Sequence, residues 1–299
     1  MAMLALADSA FPGRVIAATV DHRLRPDNAA EAAAVARWCA EAGVPHATLT
    51  VEATLEPGGN VQSWARRQRY ALLHRWAVQA GAECLCTAHH ADDQAETFLM
   101  RAARGSGLSG LSAIRGRTEV GVGLPGGGAA PLVLLRPLLG WRRAELRAIA
   151  AALALPTVED PSNADPRFDR TRFRAWLASA PWLDPARIAR SAQYLAEVDA
   201  DLIALTRWLW EQRALSASAG EQRLDVSDLP REVRRRLARL AVGAVRDANG
   251  ILAPAFDEQS NVEALLDALE AGKPATQAGI LASAKGAVWR FRPAPPRRT

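Results

Sequence analysis

Three short apolar runs, RVIAATV at 14–20, HATLTVE at 46–52 and AECLCT at 82–87, each lead into a stretch with helically spaced apolar residues. This alternation constrains the fold more than any other feature, because strands separated by helices form βαβ units and hence a parallel sheet. The spacing predicts helices over 28–43, with Asn28 as cap and Gly43 as terminator, over 60–80 ahead of Gly81, and from Asp92 to Gly105. A fourth strand is read in PLVLLRPLL at 131–139 and an amphipathic helix in WRRAELRAIAAALAL at 141–155. The expected class is α/β, a doubly wound parallel sheet with a second, mainly helical domain, and ligands bind such sheets outside the carboxyl ends of the strands.

After about residue 176 the pattern turns helical, with no strand signal until 279–292. EDPSNADPRFDRTRFR at 159–174 reads as the connector, which gives domains of 1–175 and 176–299. VGVGLPGGGAAP at 120–131 reads as a flexible surface loop and RPAPPRRT at 292–299 as a disordered tail. No run approaches the roughly 18 apolar residues of a membrane span, and MAMLALADSAFPG has no basic leading segment. A cytoplasmic protein without membrane contact is expected. Three cysteines, Cys39, Cys84 and Cys86, make no disulfide framework. The formal charge of +5, nearly all from arginine, permits a polyanionic partner; Lys273 and Lys285 are the only lysines.

Chemistry concentrates in AHHADDQAET at 88–97, at the mouth of the third strand. Asp92 and Glu96 lie four apart and Asp93 and Glu96 three apart, so the carboxylates share one side of a helix. Two readings stay open: Asp92 or Asp93 caps the helix and Glu96 completes a capping box, or the acids hold a cation. Further on, Gly105, Gly107 and Gly110 permit a close backbone approach, and Arg101 and Arg104 can meet phosphate oxygens.

VDHRLRP at 20–26, GNVQSWARRQRYALL at 59–73, AHHADDQAETFLMRAARGSGLSGL at 88–111, LLRPLL at 134–139 and EDPSNADPRFDRTRFR at 159–174 together resemble the tRNA(Ile)-lysidine synthase family, of the N-type ATP pyrophosphatase superfamily. The resemblance is clear over about 1–215. It implies an adenine nucleotide alpha hydrolase-like domain and a ligase that joins free L-lysine to C2 of the wobble cytidine of tRNA(Ile) with a CAU anticodon. ATP adenylates the cytidine O2 and releases pyrophosphate, and lysine then expels AMP. It implies lysine binding by Asp93 and Glu96, ATP binding by Val20, Asp21, His22, His89, Arg104 and Gly105, and magnesium (Mg2+) at Asp92. Arg170, Arg172 and Arg174 would meet substrate or developing phosphate charge, with Asp93, Glu96, Arg170 and Arg172 the catalytic set. Thr171 stands where many members have asparagine.

The family's phosphate loop SGGxDS and the strand before it would precede MAMLALAD, and the chain starts at Met1, past that point. The resemblance therefore implies impaired ATP turnover at this length, and a reading frame that extends upstream. Two other readings are a tRNA thiolase of the same superfamily and a non-catalytic tRNA-binding remnant, in which REVRRRLARL at 231–240 contacts phosphates. A homodimer is one assembly open to such a chain.

Overall fold

The structure, a computed structural model, describes residues 1–24, 27–53, 61–123, 129–157, 169–257 and 260–295. The chain divides into two units, Met1–Ala196 and Glu197–Thr299. The division is later than residue 175, which lies inside the helix α7 (Asp169–Ser179).

In the first unit, α1 (Ala2–Ala10) precedes β1 (Ala17–Asp21), which pairs in parallel with β2 (His46–Thr50), from Ala17↔His46 to Asp21↔Thr50. β1 starts later than its apolar run because Arg14 N–H closes a turn onto Phe11 C=O. Between these strands lies α2 (Asn28–Ala42). Its cap position is Asp27, with no side-chain capping bond, rather than the expected Asn28. Gly43 ends it at φ 73°, a left-handed conformation that glycine adopts without a Cβ clash.

α3 (Val61–Gln79) leads into β3 (Cys84–Cys86), which pairs in parallel with β5 (Ala129–Leu135). The expected surface loop at 120–131 is largely strand: β4 (Arg117–Gly123) pairs antiparallel with β5, Val120 opposite Leu132 and Gly121 opposite Pro131. Residues 124–128 of that loop lie outside the described residues. Pro131 is tolerated because β3 pairs only with 133–135, so no donor toward β3 is needed at 131. Among the described residues the pair β1–β2 and the sheet β3–β5–β4 share no ladder, but α3 covers both. Leu73 and Ala77 of α3 pack with Leu85, Leu132 and Leu134 on one side, and with Ala18, Val20 and Leu49 on the other. The hydrophobic effect thus joins the strand sets through one helix.

The remaining helices of this unit are α4 (Ala91–Ala102), α5 (Leu108–Leu111), α6 (Arg143–Ala152), α7 and the start of α8 (Pro185–Arg213).

The second unit is less helical than its sequence suggests. It carries β6 (Ala214–Leu215), β7 (Gln222–Asp225), α9 (Arg231–Ala248), α10 (Glu263–Glu270), β8 (Ala275–Gln277), β9 (Ile280–Lys285) and β10 (Val288–Pro293). The strands form one antiparallel sheet, β6–β7–β10–β9–β8. The strand signal at 279–292 corresponds to the β9–β10 hairpin. Trp289 and Phe291 point into a core of Leu224, Leu237, Val242 and Leu266, while the intervening Arg290 is exposed. The tail expected from 292 onward begins inside β10, and 296–299 lie outside the described residues.

Candidate active site

α4 starts directly at the carboxyl end of β3, and its first turn sets the site. The cap is His90: its Nδ1 accepts from Asp93 N–H at 3.3 Å, and Asp93 Oδ2 accepts from His90 N–H at 3.0 Å. This reciprocal box uses a histidine where an aspartate was expected, and it leaves Glu96 out. Burial lowers the His90 pKa against the pull of Asp93 and Asp92, consistent with an unprotonated Nδ1 accepting the bond.

Glu96, 1% exposed, is held instead by charge. Arg174 Nε donates to Glu96 Oε1 at 2.7 Å and Arg174 Nη2 to Oε2 at 3.3 Å. Arg170 spans both acids, with Nε on Glu96 Oε2 at 2.7 Å and Nη2 on Asp93 Oδ1 at 2.8 Å. Burial opposes the Arg174 charge, but its hydrogen bond to Glu96 and the attraction of Glu96 and Asp93 outweigh this and raise its pKa. α7, which carries both arginines, is thereby tied to α4.

The structure brings Asp93, Glu96, Arg170 and Arg174 together and places Arg104 and Arg172 in a neighbouring exposed cluster. Both meet Asp169, Arg104 Nη2 at 2.6 Å from Oδ2. Hydrogen bonds from Arg172 and then Arg104 lower the Asp169 pKa. Arg101, expected at phosphate, donates instead to the carbonyls of Gly110 and Ala113 at 2.8 and 3.0 Å and so folds the segment after α4. Of the three glycines, Gly105 needs its φ of 69°, and Gly110 allows a close approach, since a Cβ there would lie 2.6 Å from Ser106 Cβ. Gly107 has open space and shows no close approach.

Asp92 does not suit magnesium. Its Oδ2 accepts from Arg143 N–H at 2.7 Å and from Arg142 Nε at 3.3 Å, and its Oδ1 from Arg142 Nη2 at 3.3 Å. Among the described residues no three His, Cys, Asp or Glu side chains converge as a metal site. Asp92 ties α4 to the start of α6, a role that its spacing in the sequence does not reveal.

Val20, Asp21 and His22 sit at the carboxyl end of β1. Asp21 Oδ1 accepts from Arg23 N–H at 2.8 Å, holding Arg23 at φ 53°. Arg69 Nε donates to His22 Nε2 at 3.4 Å, so the neutral ring carries its proton on Nδ1, which is buried with no partner among the described residues. Burial, then the charge of Arg69, keeps the His22 pKa low. Burial also lowers the pKa of Arg69, and Arg66, one turn away, pushes in the same direction. An orphaned donor beside two crowded guanidiniums suits an anionic, hydrogen-bonding nucleotide. His89, at the β3 end, bonds Thr87 Oγ1 through Nδ1 at 3.0 Å. Burial drives its pKa to about 4, with Arg136, Arg66 and Arg170 adding to the drop against Asp93. His89 is therefore neutral near pH 7.

A cleft of about 610 Å³ opens in the second unit, lined by Ser216, Glu221, Arg223, Lys285 and Arg290, and contains none of the candidate site residues. The site is better defined by its chemistry than by its concavity.

Parallel strands with an acid-rich helix start and arginines at the strand ends define a nucleotide-binding α/β protein. Residues 1–180 match the PP-loop domain family. The chain resembles a solved U34-tRNA thiolase from Methanococcus maripaludis with TM-score 0.52 and 17% identity, covering 66% of this chain and 67% of that one, a likeness of fold. It is 40% identical over 302 residues to a tRNA(Ile)-lysidine synthase of Zymomonas mobilis subsp. mobilis, spanning 100% of this chain and 86% of the relative. To the tRNA(Ile)-lysidine synthase of Novosphingobium aromaticivorans it is 41% identical over 299 residues, spanning 100% of this chain and 87% of the relative. The chain belongs to the tRNA(Ile)-lysidine synthase family, within the ATP-using PP-loop class.

Proposed function

We propose that this chain joins free L-lysine to C2 of the wobble cytidine of tRNA(Ile) with a CAU anticodon, consuming ATP and forming AMP and pyrophosphate. The observation that supports this reading is the acid pair: Asp93 Oδ2 is held by His90 N–H and Glu96 Oε1 by Arg174, while Asp93 Oδ1 and Glu96 Oε2 both face the guanidinium of Arg170. Two such oxygens suit an ammonium. Val20–His22 and His89 would line the nucleotide site at the two strand ends, with Arg69 and Arg66 adding positive charge. Arg104 and Arg172 would offer donors to phosphate once freed from Asp169, while Gly105 shapes the turn behind them. Neutral His89 can hold or accept a proton without first losing one.

The thiolase alternative has little support here: Cys39 is buried, and Cys84 and Cys86 are two residues apart on one strand.

The test supplies ATP, L-lysine and the CAU-bearing tRNA to the chain as it stands and to the chain with a strand and SGGxDS loop joined ahead of Met1. Equal amounts of AMP and lysine-modified cytidine are expected, and Glu96→Gln should lower kcat/KM for lysine by about tenfold or more, the loss of one charge-assisted contact. Lysine-independent AMP release, or no product from either form, overturns the reading.

A further inference from the structure

Asp93 and Glu96 bring two carboxylates together, and Arg170 and Arg174 set two guanidiniums against them. The cluster is balanced without a ligand. Arg143 feels both Glu96 and Asp93, and Asp92 in turn acts on Arg174, so the nearest surroundings add no spare negative charge for a further cation. A further ammonium would place an uncompensated cation against the buried Glu96, an unfavourable arrangement in a poorly hydrated site. One arginine must leave when lysine enters.

The hydrogen bonds identify which one. Arg174 grips Glu96 with two nitrogens and its side chain is 24% exposed, whereas Arg170 is 39% exposed and bridges the two acids from the first turn of α7. The anchored oxygens are Asp93 Oδ2, held by His90 N–H, and Glu96 Oε1, held by Arg174 Nε. The oxygens on Arg170 are Asp93 Oδ1 and Glu96 Oε2. Withdrawal of Arg170 alone would therefore leave two oriented acceptors at the bridging position, Asp93 Oδ1 without that donor and Glu96 Oε2 with only the longer 3.3 Å bond from Arg174 Nη2. We propose that Arg170 is a built-in occupant of the lysine ammonium position, so that lysine entry and Arg170 release are one exchange. This rests on the lysine-site reading of Asp93 and Glu96 and deepens it: Arg170 tunes selectivity by making every ligand compete with a guanidinium. The released guanidinium is then free to meet an anion, which couples lysine binding to the phosphate side of the reaction.

Calorimetric titration of L-lysine into the chain and its variants tests the exchange. Arg170→Gln, which removes the competitor and keeps much of its bulk, should tighten lysine binding on the order of tenfold. Arg170→Lys, which keeps a cation, should leave Kd within about threefold of the unmodified chain. An unchanged or weaker Kd for Arg170→Gln overturns the exchange but leaves the lysine site standing, and so does equal tightening by both variants. Lysine binding that Glu96→Gln fails to weaken, or no binding by any form, overturns the lysine site and the exchange with it. A second measurement needs no variant: saturating L-lysine should speed amide exchange over 169–172 of the unmodified chain, and glutarate, which carries no ammonium, should not. Unchanged or slower exchange there with L-lysine also overturns the exchange.

Discussion

Gln94 is uncharged and 5% exposed, yet it decides how the segment after α4 is held. Its Nε2 donates to Ile114 C=O at 2.8 Å and its Oε1 accepts from Ile114 N–H at 2.7 Å, so a side chain imitates a strand partner for a residue twenty positions away. Gln94→Ala would strand both backbone groups, and the loss expected in urea denaturation is about 1–3 kcal/mol. Ligation should fall as well, because Arg101 anchors the same segment through Gly110 and Ala113. At this scale the sequence revealed the kind of chemistry better than the partners. It singled out AHHADDQAET, and the two acids do converge, since helical spacing alone sets which side chains share a face. It could not reveal that His90 caps the helix, that Asp92 is engaged by Arg142 and Arg143, or that Gln94 closes a bridge to Ile114. The last two depend on residues brought near only by the fold, and the first on a histidine taking a position that aspartate, serine or threonine usually fills.

α9 shows the same limit for a whole element. REVRRRLARL contacts phosphates only in the non-catalytic reading, and its arginines are engaged within the unit. Arg231 meets Glu263, Asp267 and Glu270 of α10, Arg235 meets Glu263 and Glu232, and Arg239 donates to Ser260 C=O. The acids of α10 recur at four and three residues and so form one stripe facing the arginines. The charge run therefore builds a helix pair, and a single sequence carries no sign of which partner the charges choose. Deepest is Arg236, whose Nη2 lies 2.6 Å from the fully buried Asp199. Asp199→Ala should leave Arg236 Nη2 buried without its partner while Nε keeps Glu232 Oε1 at 2.7 Å, and lower unfolding free energy by about 1–3 kcal/mol. Pairing Asp199→Leu with Arg236→Met should recover most of the loss, which denaturation of the single and double variants would measure. The strands missed from sequence, β4 and β6–β8, are short or glycine-bearing. Their pairing supplies what their two-residue periodicity is too brief to announce.

Across the molecule, titration separates the two units. All five histidines, His22, His46, His74, His89 and His90, fall within residues 1–196, and burial is the first cause of a lowered pKa at each. A histidine whose folded pKa is depressed binds its proton more readily when unfolded. Stability is then fully present above the ordinary value of 6.5 and declines as pH falls from there, for His89 until about 4. The second unit has no histidine, and its shifted carboxylates, Asp225 and Glu263, are lowered from 3.8 and 4.5, so they titrate below this window. Moving from pH 7.5 to pH 5 should therefore weaken amide protection, corrected for intrinsic exchange, across residues 1–196 while largely sparing 197–299. His89→Gln should reduce the loss in the first unit, because the largest of these histidine shifts would be gone. Equal weakening of both units would instead assign the acid sensitivity to groups they share, the arginine–carboxylate pairs, and would remove the histidines from the account.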